Sequence, residues 1–161
     1  MKVLKIFFPV LLVFAGISVS AQSYNAERTA LTNFLVRMYN SAPFEGVRVV
    51  EDYEDAYLLS VLALEKSKYT NESTMNRVAS VKAMSQASRF FNGSNITSDI
   101  IIRTSEKSDG SSDTEIIENI KENSVGYVKQ LEILTNFPAE DDGWQVFMYF
   151  KKLDLNKEKT E

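Results

Sequence analysis

Two stretches of this chain are apolar at nearly every position, and they constrain the fold more than anything else in the sequence. The first is Tyr57-Leu58-Leu59-Ser60-Val61-Leu62-Ala63-Leu64, and the second is Trp144-Gln145-Val146-Phe147-Met148-Tyr149-Phe150. The second is rich in β-branched and aromatic residues, and both are too short for helices of ordinary length, so both are expected as strands. Successive side chains of a strand point to opposite faces. In the second run, Trp144, Val146, Met148 and Phe150 therefore share one face, while Phe147 and Tyr149 share the other with Gln145. Such strands belong in the middle of a sheet with cover on both sides. If the cover is incomplete, the uncovered face is an apolar patch and so an interface.

The candidate cover is helical. From Ser23 to Asn40, Ala26, Ala30, Leu31, Phe34, Leu35 and Met38 recur at helical spacing, and Ser41-Ala42-Pro43 stops the run. A second helix is expected from the Tyr69-Thr70-Asn71-Glu72 cap region to about Phe91, ended by Asn92-Gly93. Its inner face is Met75, Val78, Ala79, Ala83, Ala87 and Phe90, and alanines four residues apart let a helix lie close on a sheet.

The remaining strands are read from alternation. Val47 and Val49 precede the acidic Glu51 to Asp55, which resists burial and is expected as the tip of a hairpin leading into Tyr57. Ile96 to Arg103 is expected as a third strand, followed by a polar loop from Ser105 to Asp113. Thr114 to Glu122 suits a short helix or a strand equally. Val125, Tyr127, Lys129, Leu131 and Ile133 alternate as a strand, and Phe137 to Gly143 turns the chain into Trp144 to Lys152. The expected fold is α+β, a mostly antiparallel sheet of about five strands with two main helices packed on it.

The N-terminus sets the compartment. Lys2 and Lys5 precede an apolar run from Ile6 to Ile17, and Ser18-Val19-Ser20-Ala21 forms a small-x-small exit. This is the pattern of a secretory signal cleaved after Ala21, with an apolar core well short of the roughly 20 residues a membrane span needs. Residues 22–152 then form one α+β domain, with its N-terminal amphipathic helix within 22–42, and residues 153–161 a charged, fraying tail. The protein is expected in the periplasm or secreted. Cleavage removes two lysines and no acids, moving the net charge from −4 to −6. An acidic domain lacks the basic footprint that nucleic acids or anionic membranes select, so neither is an expected partner.

The 161 residues include no cysteine and no histidine. Disulfides, lipidation on an N-terminal cysteine, and the thiolate or imidazole groups of common metal sites and nucleophilic triads are excluded by inventory. No glycine-rich phosphate loop is present either. The expectation is a protein without catalytic residues, metal or cofactor, which is not an enzyme.

Other candidates each have a plain structural reading. Glu140-Asp141-Asp142, beside Trp144, could serve a carboxylate-based glycan-binding or glycan-hydrolysing site or hold calcium, but reads more simply as a solvated turn. Arg89 and Arg103 flank the Asn92 to Thr97 turn and could clamp a carboxylate. Sequons at Asn71, Asn92 and Asn95 read as caps and turns. Trp144, Phe147, Tyr149 and Tyr127 are the aromatic residues proposed for binding, although core packing is the commoner use of such side chains.

The order of a hydrophobic strand, the helix with Ala79, Ala83 and Ala87, then Gly126-Tyr127-Val128 and Asp142-Gly143-Trp144 with Tyr149-Phe150 resembles a domain shared by two families. These are the twenty-kilodalton bacterial envelope lipoproteins and the N-terminal part of the flagellar assembly protein T. The resemblance covers about residues 57–152 and places Gly126-Tyr127-Val128 in a late strand. It implies a non-catalytic envelope module that binds a protein partner or assembles with itself, with any outer-membrane association made through a partner. The missing lipidation cysteine and the additional N-terminal helix depart from the pattern.

Overall fold

The computed structural model describes residues 26–52, 55–93, 100–104 and 110–155. The leader, the start of the first helix, Asn95, the first half of the 96–103 run, Ser105 to Asp109 and the end of the tail lie outside these. The chain divides into two compact units, Met1–Pro43 and Phe44–Glu161.

In the first unit, residues 26–41 form a helix, α1. Thr32 Oγ1 donates to Arg28 O at 2.7 Å and Ser41 Oγ to Arg37 O at 3.0 Å, so both hydroxyls bond back into the preceding turn. The helix stops where expected, ahead of Pro43.

The second unit is a five-stranded sheet with two helices. Its elements are β1 (Gly46–Asp52), β2 (Asp55–Glu65), α2 (Glu72–Gly93), β3 (Ile101–Arg103), α3 (Gly110–Lys129), β4 (Glu132–Pro138) and β5 (Trp144–Lys152). The strand order is β3-β1-β2-β5-β4. All neighbours are antiparallel except β1 and β3, which run parallel, so the fold is α+β with a mostly antiparallel sheet.

The two apolar runs are the central pair. Leu59 opposes Phe150, Val61 opposes Met148 and Leu62 opposes Phe147. Ala56 to Leu62 of β2 and Val146 to Phe150 of β5 are buried without interruption, side chains of both faces included. On one face Val47, Val49, Leu58, Leu62, Leu64, Phe147 and Tyr149 form a single core cluster with Ala79, Ala83 and Ala87 of α2 and Ile116, Ile120 and Tyr127 of α3.

Helix α2 begins where the capping residue predicts. Asn71 Oδ1 accepts the Thr74 N–H at 2.8 Å, satisfying one of the helix's free amides. Its three alanines have no exposed surface. Their small size brings the helix backbone within reach of the sheet's polar groups. The buried Ser60 hydroxyl donates to Ala83 O at 3.3 Å, Gln86 Nε2 to Val61 O at 3.2 Å and Tyr149 Oη to Asn76 O at 3.4 Å.

Four expectations need correction. The chain from Asn123 to Lys129 is helix, not strand, and continues the Thr114 to Glu122 segment into one long α3; only Glu132–Pro138 pairs with β5. Gly126-Tyr127-Val128 is therefore helical, and a third helix joins the two that were expected. Glu51 is not part of a solvated tip but a residue of β1, its side chain 12% exposed and bonded to Arg103. The tail does not fray at its start. Leu153 is buried, its N–H reaching Ala56 O at 2.8 Å, and Leu155 packs on the core.

Both sheet edges are blunted. β3 has three residues, and β4 carries a register shift between Ile133 and Thr135 and ends in Pro138. Short, bulged or proline-ended edges discourage the addition of further strands.

Candidate functional site

The four aromatic residues proposed for binding do not converge. Phe147 has no exposed surface, and Tyr149 and Tyr127 are also buried; all three belong to the core cluster between the sheet, α2 and α3. Trp144, on the opposite face of β5 from Phe147 and Tyr149, keeps 37% of its surface exposed at the head of the strand. Burial raises the pKa of both the Tyr127 and the Tyr149 phenol.

Asp141, Asp52 and Asp55 each make a structural contact. Asp141 Oδ1 accepts the Gly143 N–H at 3.0 Å, and Asp141 O accepts the Trp144 N–H at 3.0 Å, closing the β4–β5 turn. Glu140, Asp141 and Asp142 are all exposed at that turn. At the other hairpin, Asp52 accepts from the Thr104 hydroxyl, and Asp55 pairs with Lys152. Among the described residues no three carboxylates come together in a way that could hold a metal ion.

The two arginines do not form a clamp. Arg89 Nε donates to Ser85 O within α2. Arg103 reaches Glu51 at 3.2 Å with Nε and Asp113 with Nη2, which ties β3 to β1 and to the start of α3. The adjacent Asp113 carboxylate, with Glu51, raises the guanidinium pKa further, keeping it charged at any working pH. Asn71 and Asn92 serve helix α2, as its cap and through an Asn92 Nδ2 bond to Ser88 O at 2.9 Å.

The most exposed apolar side chains lie on the helices. Val125 is 68% exposed and Val81 67% exposed, far more than any other large apolar side chain described. Val125 stands between two shallow clefts. One, of about 230 Å³, has Phe91 and Val128 as its apolar floor and Ser88, Asn92, Ser124 and Lys129 around it. The other, of about 260 Å³, runs past Gly126 between Glu122, Asn123 and Gln130 to Asp154. A third cleft of about 340 Å³ lies at the start of α2 between Lys66, Tyr69 and Gln145. Sequence reasoning missed the Val125 ridge because that segment was assigned to a strand. The signal was there: Glu122, Val125, Gly126 and Lys129 are spaced i, i+3, i+4 and i+7 and form one stripe of a helix.

Searches against protein-family models, curated proteins and solved structures returned no match. No described helix is long and apolar enough to cross a membrane.

Proposed function

We propose that this chain is an exported, non-enzymatic envelope module that works by protein contact, either with a partner or with a second copy of itself. The observation that carries the proposal is the exposed Val125 ridge between two shallow clefts on the outer side of α3. A large apolar side chain held in solvent on a rigid helix contributes little to its own fold, whereas it gains by burial against another surface.

Three further features support this view. The polar side chains that could do chemistry are engaged in holding the fold together: Arg103 with Glu51 and Asp113, Asp141 with its own turn, and Tyr127 with Asn119 and Asp154. The blunted sheet edges turn contact away from strand addition and toward the helices. The N-terminal leader pattern favours a setting in the periplasm or outside the cell. A glycan role for the acidic turn draws less support, because Asp141 closes the turn and none of the three clefts above is lined by Asp141, Asp142 or Trp144.

The chain has no native cysteine, so a single one can carry a photo-crosslinker at a chosen position. Labelled Val125→Cys protein, added to an envelope extract or to unlabelled protein, should form a discrete protein adduct. The same label on Glu115→Cys, earlier on α3, should not. Absence of any protein adduct from position 125, together with a strict monomer on sizing, contradicts the proposal.

A further inference from the structure

We infer that the outer stripe of α3 is a self-pairing face, on which the α3 helices of two copies cross antiparallel about a point between Val125 and Gly126. The inference rests on the protein-contact reading above and specifies its partner.

Gly126 is the starting observation. It lies inside α3, where glycine is less favourable than alanine because its backbone loses more freedom on folding. Nothing among the described residues requires it. A Cβ added there would meet no atom within 4 Å, and its backbone is not in the left-handed region. A glycine without an internal reason, exposed on the cleft beside an exposed valine, leaves room for something outside the chain to approach the helix closely.

The stripe is complementary to itself. Glu122, Val125, Gly126 and Lys129 are all exposed and lie in one row. A twofold axis between Val125 and Gly126 sets the valine of each copy over the glycine of the other, so that each ridge fills the hollow opposite, as helix packing requires. Glu122 and Lys129 stand equally far on either side of that centre, about 5 Å along the helix axis at 1.5 Å per residue. The axis therefore brings Glu122 of each copy to Lys129 of the other. Neither side chain is in an ion pair among the described residues. A parallel crossing would set Glu122 beside Glu122 and leave the charges unmatched.

One helix crossing with its flanking clefts makes an interface below the standard size, so the dimer should be weak, with Kd on the order of 10–1000 µM. Sedimentation equilibrium of the protein purified from expression of the complete sequence, run as a concentration series, tests this. The wild type should show a monomer–dimer equilibrium. Gly126→Leu, which fills the hollow, and Glu122→Lys, which opposes like charges, should each raise Kd about tenfold or more. Combining Glu122→Lys with Lys129→Glu should restore the wild-type value, and circular dichroism should show an unchanged fold throughout. A dimer insensitive to the single changes, or a double variant without recovery, overturns the antiparallel pairing while leaving protein contact in place. A wild type that stays monomeric at about 2 mM, above the expected Kd range, also overturns it; if position 125 still crosslinks to a different protein, the broader function stands, and if it captures nothing, both fall.

Discussion

The Tyr127 hydroxyl accepts the backbone N–H of Asp154 at 3.1 Å, joining the last turn of α3 to the chain just beyond β5. The same hydroxyl donates to Asn119 Oδ1 at 2.6 Å, and Asn119 Nδ2 donates to Asp154 O at 2.8 Å, closing a ring of three hydrogen bonds. Tyr127→Phe keeps the packed ring but strands Asn119 Oδ1 and the Asp154 amide. The expected cost is about 1–2 kcal/mol in chemical denaturation. Amide exchange should quicken at Asp154 and Leu155 more than in β2.

Alkaline pH should destabilise the fold beyond the general effect of charge. Burial raises the phenol pKa of Tyr127 and of Tyr149 above the ordinary value of 10.0. Between the unfolded and folded values the native state holds protons that the unfolded chain has released, so stability falls as pH rises. The contribution is complete below about pH 10 and is lost as pH climbs through the raised folded values. Melting temperatures measured from pH 8 upward should drop more steeply for the wild type than for a Tyr127→Phe, Tyr149→Phe variant.

The alanines of α2 set how closely the helix lies on the sheet. Ala83 has no exposed surface, and its carbonyl accepts from buried Ser60. Ala83→Leu forces the helix outward and breaks that bond, at an expected cost of about 2–4 kcal/mol from overpacking plus the stranded hydroxyl. The exposed Val81→Leu, as a control, should change stability by less than about 0.5 kcal/mol.

Arg103 is the polar fastening between β3, β1 and α3. Arg103→Met leaves the half-buried Glu51 and Asp113 carboxylates without this partner, with an expected loss of about 1–3 kcal/mol in urea unfolding.

Gly126→Ala isolates the cost of the glycine. In the monomer the substitution meets open space and should raise stability by up to about 1 kcal/mol. An unchanged or lower melting temperature at dilute concentration contradicts the placement of Gly126 in an unstrained, solvent-facing helix turn.

The sheet was readable because its central pair has no polar face to confuse the period: β2 and β5 are apolar through both sets of alternating positions. Helix α2 was readable from Asn71 and from alanines whose size alone states their packing. The segment 123–131 was not, because two periods coexist in it. Val125, Tyr127, Lys129 and Leu131 alternate, but Ile116, Ile120, Tyr127 and Leu131 also fall on one helical face, and it is this second set that is buried. Gly126 argued locally against helix, and tertiary burial overrode it. The burial of Glu51 was hidden for a different reason, since its partner Arg103 is 52 residues away in sequence. The parallel pairing of β3 rests on three residues, too few for any pattern to announce a neighbour. The Val125 ridge became visible only once α3 was known to be a helix.

Oxidative crosslinking tests protein contact through α3 most directly. In the antiparallel pairing, cysteines at position 125 of two copies approach each other across the twofold axis, whereas cysteines at position 115 are carried apart. Under mild oxidation, Val125→Cys protein should convert to a disulfide-linked dimer much faster than Glu115→Cys protein, and Glu122→Lys in the same chain should slow it. Equal rates at the two positions, or no dimer at either, would contradict contact between copies through this helix.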